Sequence, residues 1–326
     1  HIKLKLMFNR KLIDSAGKFD LIHLHIGNSF PSSFIRRFFD LVSKSKTPII
    51  STIHGFDEGF LPRLYRTVLK KPSYLYYIMN SSIKKIIERS DYLIVTSNYG
   101  KKVAVEKFNK DPSKIFVVPL SSNLHFDKKL TNDYCIKKTG KKDEIFLATF
   151  GGITPRKGIE EVLHAISKLK INKPIKYYII GDCNFEHYKM QLQLLIKKLN
   201  LLDKVKFTGR LPEKEVEILL KSADIIIQPR KGTPDQSSGA LLAALDTGVP
   251  IIASDTGALK EYISNGKDGI LVKHSVNEFY DAIRFLVNNP SKAKIIGRNG
   301  AKSFKNKFSQ ESMAKEHIRI YKEILK

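Results

Sequence analysis

Short apolar runs bounded by glycines and polar turns alternate with amphipathic stretches over nearly the whole chain. That alternation predicts strands of a parallel α/β sheet separated by covering helices. The runs place a first series of strands at 20–26 (DLIHLHI), 48–53 (PIISTI), 92–96 (YLIVT) and 115–119 (IFVVP). A second series follows at 145–150 (IFLATF), 175–180 (IKYYII), 205–208 (VKFT), 224–228 (DIIIQ), 250–254 (PIIAS) and 269–272 (GILV). Helical periodicity fills the gaps, for instance at 159–169 and 188–199. The Lys-rich stretch 128–144 lacks apolar periodicity and reads as a linker.

Two such series predict two Rossmann-like, doubly wound domains, with ligand in a cleft outside the carboxyl ends of the strands. The expected division is 1–134, 135–305 and a closing helix at 306–326. The first series is short for a doubly wound sheet, so the expectation is a first domain lacking its opening strands. The length of 326 residues suits two cores better than one.

Charge changes the picture more than composition does. Fifty-seven Lys and Arg against 32 Asp and Glu give +25, a field that favours anionic partners. Residues 1–140 hold 25 basic and 11 acidic side chains and the remainder 32 and 21, so the front is the more basic part. Cys135 and Cys183 are too few and too far apart for a disulfide framework or a zinc site. No charge-free apolar run is long enough to span a bilayer, and a cytoplasmic setting is the expectation.

Two segments carry chemistry. In 145–166, a strand runs into Gly151-Gly152 and then Arg156-Lys157 just before a helix. Close backbone approach, cations and a helix N-terminus together suit an anion. Neither GxxxxGK[ST] nor GxGxxG is present, and an ordinary turn with solvated cations is an equal reading of this segment alone. In 223–263, a strand ends at Pro229, Arg230 follows, and Ser237-Ser238-Gly239 opens a short helix. Free N–H groups and a capping serine there suit a phosphate, and Arg230 brings forked donors to the same cleft. A further strand and the turn at Gly257 lie directly after.

The order GGITPRKG, ADIIIQP, polar loop, ALDTGVPIIASDTGALKE closely resembles family 4 glycosyltransferases of the GT-B fold. FDLIHLHI, TPIISTIHG and SDYLIVTSNYGKK resemble that family's acceptor-side domain, and FSQESMAKEHIRIYKEILK its closing helix. The resemblance covers essentially all of the chain. It implies a retaining, metal-independent transferase with no cofactor, taking a nucleotide-sugar donor and a glycan or lipid-linked acceptor. Lys157 falls where the family neutralises the donor diphosphate, and His54 where members place a cleft histidine. Gly257 and Glu261 match the turn beside the transferred sugar, and Gly209-Arg210 the loop that meets the base. Without the resemblance, His54 would read as a satisfied polar residue at a strand end, as His25 does.

Departures are equally visible. The family's paired glutamates are Asp235 and Ala243 here, and alanine cannot hold ribose hydroxyls. The arginine five positions before the lysine is Gly152, with Arg230 a candidate replacement. An inactive nucleotide-sugar-binding partner is therefore the competing reading. Nucleic-acid binding has charge alone in its favour, because no recognition motif accompanies it. An apolar stripe through Phe60, Leu61, Leu64, Tyr65, Val68 and Leu69, flanked by Arg63, Arg66, Lys70 and Lys71, suits either a packed helix or one lying on an anionic membrane within residues 60–79.

Overall fold

A computed structural model describes residues 19–26, 46–56, 83–122, 124, 126–127, 129–141, 143–232 and 238–326. The chain forms two units, one from residues 1–119, 235–237 and 314–326, the other from 120–234 and 238–313.

In the first unit, β1 (Ile22–Ile26), β2 (Ile49–Ile53), β3 (Tyr92–Val95) and β4 (Ile115–Val117) pair in parallel, in that order. All five residues of β2 are buried, as a central strand covered on both faces requires. Its Ile49 and Ile53 share a core with Leu93, Val95, Ile86 and Ile87. The helix α1 (Asn98–Phe108) starts at Ser97, whose hydroxyl accepts from Gly100 N at 2.9 Å, and stops at Asn109 in the left-handed region.

The second unit holds β5 (Ile145–Phe150), β6 (Ile175–Ile180), β7 (Val205–Gly209), β8 (Ile225–Gln228), β9 (Ile251–Ser254) and β10 (Ile270–Val272), ordered β10-β9-β8-β5-β6-β7. This is the doubly wound order, and its direction reverses between β5 and β8. Its helices are α2 (Asn132–Thr139), α3 (Ile159–Lys168), α4 (Glu186–Lys198), α5 (Glu213–Ser222), α6 (Gly239–Asp246), α7 (Val276–Asn288) and α8 (Pro290–Ser303). The α3 face made by Ile159, Val162, Leu163 and Ile166 is fully buried. Each such side chain contributes about 1.5–3 kcal/mol relative to exposure.

Two expectations need correction. The supposed linker contains α2, capped by Thr131 and ended by Gly140 in the left-handed region. It has few apolar positions to reveal it, but Cys135 is buried and α2 packs along α5. Lys221 of α5 donates to the carbonyls of Asp127 and Leu130 at 3.0 and 2.8 Å, tying down the preceding chain. Because Leu120, Leu124 and Phe126 pack on the second core, that unit begins at Leu120 and not near 135. The chain's return also comes later than 306. Phe304 and Phe308, in a π-helical turn, are buried in the second core. Only from Ala314, within α9 (Gln310–Ile324), does the chain belong to the first unit.

Candidate functional site

The carboxyl ends of β5 and β8 meet at the switch point, where a doubly wound sheet opens a crevice. After β5 the backbone passes Gly151 at φ +109°. A Cβ there would lie 3.0 Å from Ala240 Cβ in the first turn of α6 and 3.5 Å from Lys157 Nζ. Gly151, Lys157 and the start of α6 are thus packed at one point. Gly152 is exposed, with open space around it. Arg156 and Lys157 lie on the one-turn helix Pro155–Lys157, ended by Gly158 at φ +61°. That turn folds Lys157 inward.

Lys157 is 4% exposed. Its Nζ donates to the carbonyl of Phe150 and to Gln228 Oε1, both at 2.9 Å. Among the described residues no carboxylate pairs with it. Burial, and secondarily the positive Arg230 nearby, lowers its pKa to about 7. Two cations therefore lie close together at this point. Arg230 is half-buried just past β8, and its N–H donates to Ser254 Oγ at 2.9 Å. Ser238 caps α6, accepting from Leu241 N at 3.2 Å, with Gly239 beginning the helix. Asp235 and Ser237 lie outside the described residues.

The remaining expected donor residues sit on neighbouring turns of the same unit. Gly257, at φ +49°, is buried after β9, and Glu261 ends the one-turn helix Leu259–Glu261 with its side chain exposed. Gly209 ends β7 at φ +67°, and Arg210 is exposed beside it. Ala243 is buried within α6.

The first unit gathers a different set. His23 and His25 alternate along β1, and His54 follows β2. The ring centroids of His23 and His25 are 4.2 Å apart, and those of His25 and His54 are stacked at 5.9 Å. His317 of α9 stacks on His23 at 5.6 Å. His23 Nε2 lies 2.7 Å from Thr52 Oγ1, and its Nδ1 hydrogen-bonds the Tyr321 hydroxyl. Burial, then the fields of His25, His317 and His54, lowers the His23 pKa to about 3. Burial also lowers that of His25, which His54 and His317 push further down, and that of His54. His54 thus sits in a histidine cluster, and His25, read as structural, is a member of it.

Residues 134–303 match the model of glycosyl transferases group 1, and residues 3–124 that of glycosyltransferase family 4. The chain belongs to the group 1 glycosyl transferases. It is 23% identical to the MMP alpha-(1->4)-mannosyltransferase of Mycolicibacterium hassiacum, over 97% of this chain and 73% of that protein. It is 25% identical to the N-acetyl-alpha-D-glucosaminyl L-malate synthase of Bacillus anthracis, over 97% and 78%. The fold is similar to that of Anabaena Alr3699/HepE, crystallised with UDP, at a TM-score of 0.77 and 15% identity, over 96% of this chain and 81% of that one. The architecture is therefore GT-B, two parallel-sheet domains in one glycosyltransferase.

Sequence reasoning passed over three residues of this transferase's second unit. Gly181, after β6, has φ +131°, and a Cβ on it would sit 2.4 Å from the Gly151 carbonyl oxygen. Only glycine lets the β5 and β6 turns touch. The strand-then-glycine pattern of IIGD was its available signal. Gln228 holds Lys157, and His274, after β10, meets Ser254 Oγ at 3.1 Å. Neither has a signal outside the fold.

Proposed function

We propose that the chain is a retaining, metal-independent transferase moving a hexose-type sugar from a nucleoside diphosphate sugar to a cell-envelope or polysaccharide acceptor. One observation carries this reading: Lys157, a buried amine at the switch point whose acceptors among the described residues are neutral, with Arg230 close by. Burying a cation without a counter-ion is costly, and a diphosphate entering beside it supplies the missing charge. Departure of that diphosphate leaves negative charge on oxygen, which two fixed cations and the first turn of α6 stabilise without reorganising. The departing diphosphate itself can take the acceptor's proton as the acceptor attacks from the same face. The mannosyl and N-acetylglucosaminyl groups in the relatives' names support a hexose, and the UDP bound to the Anabaena protein supports a nucleoside diphosphate.

The experiment is turnover of a nucleotide-sugar panel, with and without EDTA, with product anomers assigned by NMR. Transfer with retained configuration in EDTA supports the reading; inversion, or loss of activity in EDTA, counts against it. Ala243 favours one alternative, a partner that binds nucleotide sugar without turning it over. Tight donor binding with no transfer to any acceptor would favour that alternative.

The acceptor is a glycan or a lipid-linked acceptor in this proposal, with cytoplasmic protein held at the inner membrane face. The segment invoked, 60–79, lies outside the described residues, and among those described no helix is long and apolar enough to cross a membrane. Co-sedimentation with anionic vesicles at low salt, abolished by reversing Arg63, Arg66, Lys70 and Lys71 to glutamate, tests it.

A further inference from the structure

The second unit contains a chain of buried polar contacts with no part in the chemistry above. Arg230 N–H donates to Ser254 Oγ at 2.9 Å, and Ser254 is fully buried. The same hydroxyl lies 3.1 Å from His274 Nδ1. On the ring's other side, His274 Nε2 lies 3.1 Å from Glu161 Oε2 in the first turn of α3. Both of those atoms are buried and neither makes a hydrogen bond, so the contact is one of close packing. With Ser254 accepting from Arg230, its own proton can go to Nδ1, which leaves the ring proton on Nε2, on the Glu161 side of the ring. Glu161 also pairs with Lys231 Nζ at 3.2 Å, and Lys231 N donates to the Arg156 carbonyl at 2.8 Å. These contacts join the segment after β8 to the turn that carries Lys157.

Space at the crossing is tight. A Cβ on Gly158 would lie 2.3 Å from His274 Nε2 and 2.7 Å from Lys231 Cε. Gly158 is therefore glycine for two reasons, its φ of +61° and the imidazole packed against it. The His274 ring is also set edge-on against Phe279, with centroids 5.4 Å apart, which fixes its plane.

We infer that His274, bridging Ser254 and Glu161, is a positioning residue that holds Arg230 beside Lys157 for the donor diphosphate. It does not touch the donor. It sets where the Arg230 backbone leaves β8 and keeps that segment against the Pro155–Lys157 turn. Two like charges brought together repel, so the separation that suits a diphosphate needs such a brace. The inference rests on the donor-binding reading above.

The test measures calorimetric affinity for UDP, GDP and ADP, using whichever the wild-type protein binds most tightly, with thermal unfolding followed in parallel. His274→Ala is expected to weaken binding about tenfold, which corresponds to about 1.4 kcal/mol. Ser254→Ala, a smaller change, is expected to weaken it about as much. In an Arg230→Ala background, His274→Ala is expected to change affinity less than twofold, because the residue it positions is gone. An undiminished tenfold effect in that background would overturn the inference. So would unchanged affinity in folded His274→Ala and Ser254→Ala proteins, even if both unfold at lower temperature. If the wild-type protein binds none of the three nucleotides, the donor-site reading itself fails, and this inference with it.

Discussion

The two units bury titratable groups in opposite ways. In the second, Lys157 is enclosed with neutral acceptors and a second cation, and its pKa falls to about 7. In the first, His23, His25 and His54 cluster, and partial burial lowers the pKa of each. The lysine site favours a negatively charged ligand. The histidine cluster makes no such demand, and His23 already spends both nitrogens on Thr52 and Tyr321.

The largest expected effect tests the geometry beneath the charge. Gly181→Ala forces a Cβ into the Gly151 carbonyl at a positive φ, and should destabilise the second unit by about 3 kcal/mol. Urea unfolding measures it, and an unchanged midpoint would mean that the turns do not need to touch. Next is Lys157→Met, which should weaken nucleoside diphosphate binding roughly tenfold to a hundredfold, the worth of a lost charge-assisted contact. His54→Ala should leave that binding within about twofold, since a neutral imidazole in the other unit contributes no charge. Comparable losses from the two substitutions would erase the contrast.

The last effect concerns pH and is absent at neutrality. Because the His23 pKa drops from 6.5 to about 3 on folding, the unfolded chain binds more protons between those values. Stability should therefore fall as pH falls through that window. His23→Gln should flatten the acid limb of the unfolding curve, and an identical slope in the variant would show that His23 is not held neutral.

Much of this was legible in the sequence. The strands of the second unit fall within one residue of the apolar runs, because buried parallel strands read as continuous Ile-rich segments. That Gly151, Lys157 and Arg230 fall on turns at strand ends was legible too, because glycines and cations after apolar runs mark such turns. The helix α2 was not, since capping and packing against α5 hold it together where apolar periodicity is weak. Likewise, nothing in KHSVNEF marks His274. Its contacts are with Ser254, 20 positions earlier, and with Glu161 of α3, which only the fold brings together.

The central claim is that Lys157 is a buried amine awaiting a diphosphate. It is tested most directly by calorimetry of nucleoside diphosphate binding at pH 8, in buffers of different ionisation enthalpy. With a pKa of about 7 the free amine is mostly neutral at that pH, and an incoming diphosphate should recharge it. The wild-type protein should take up most of one proton on binding, and Lys157→Met none. Tight binding without proton uptake, or equal uptake by the variant, would contradict the account.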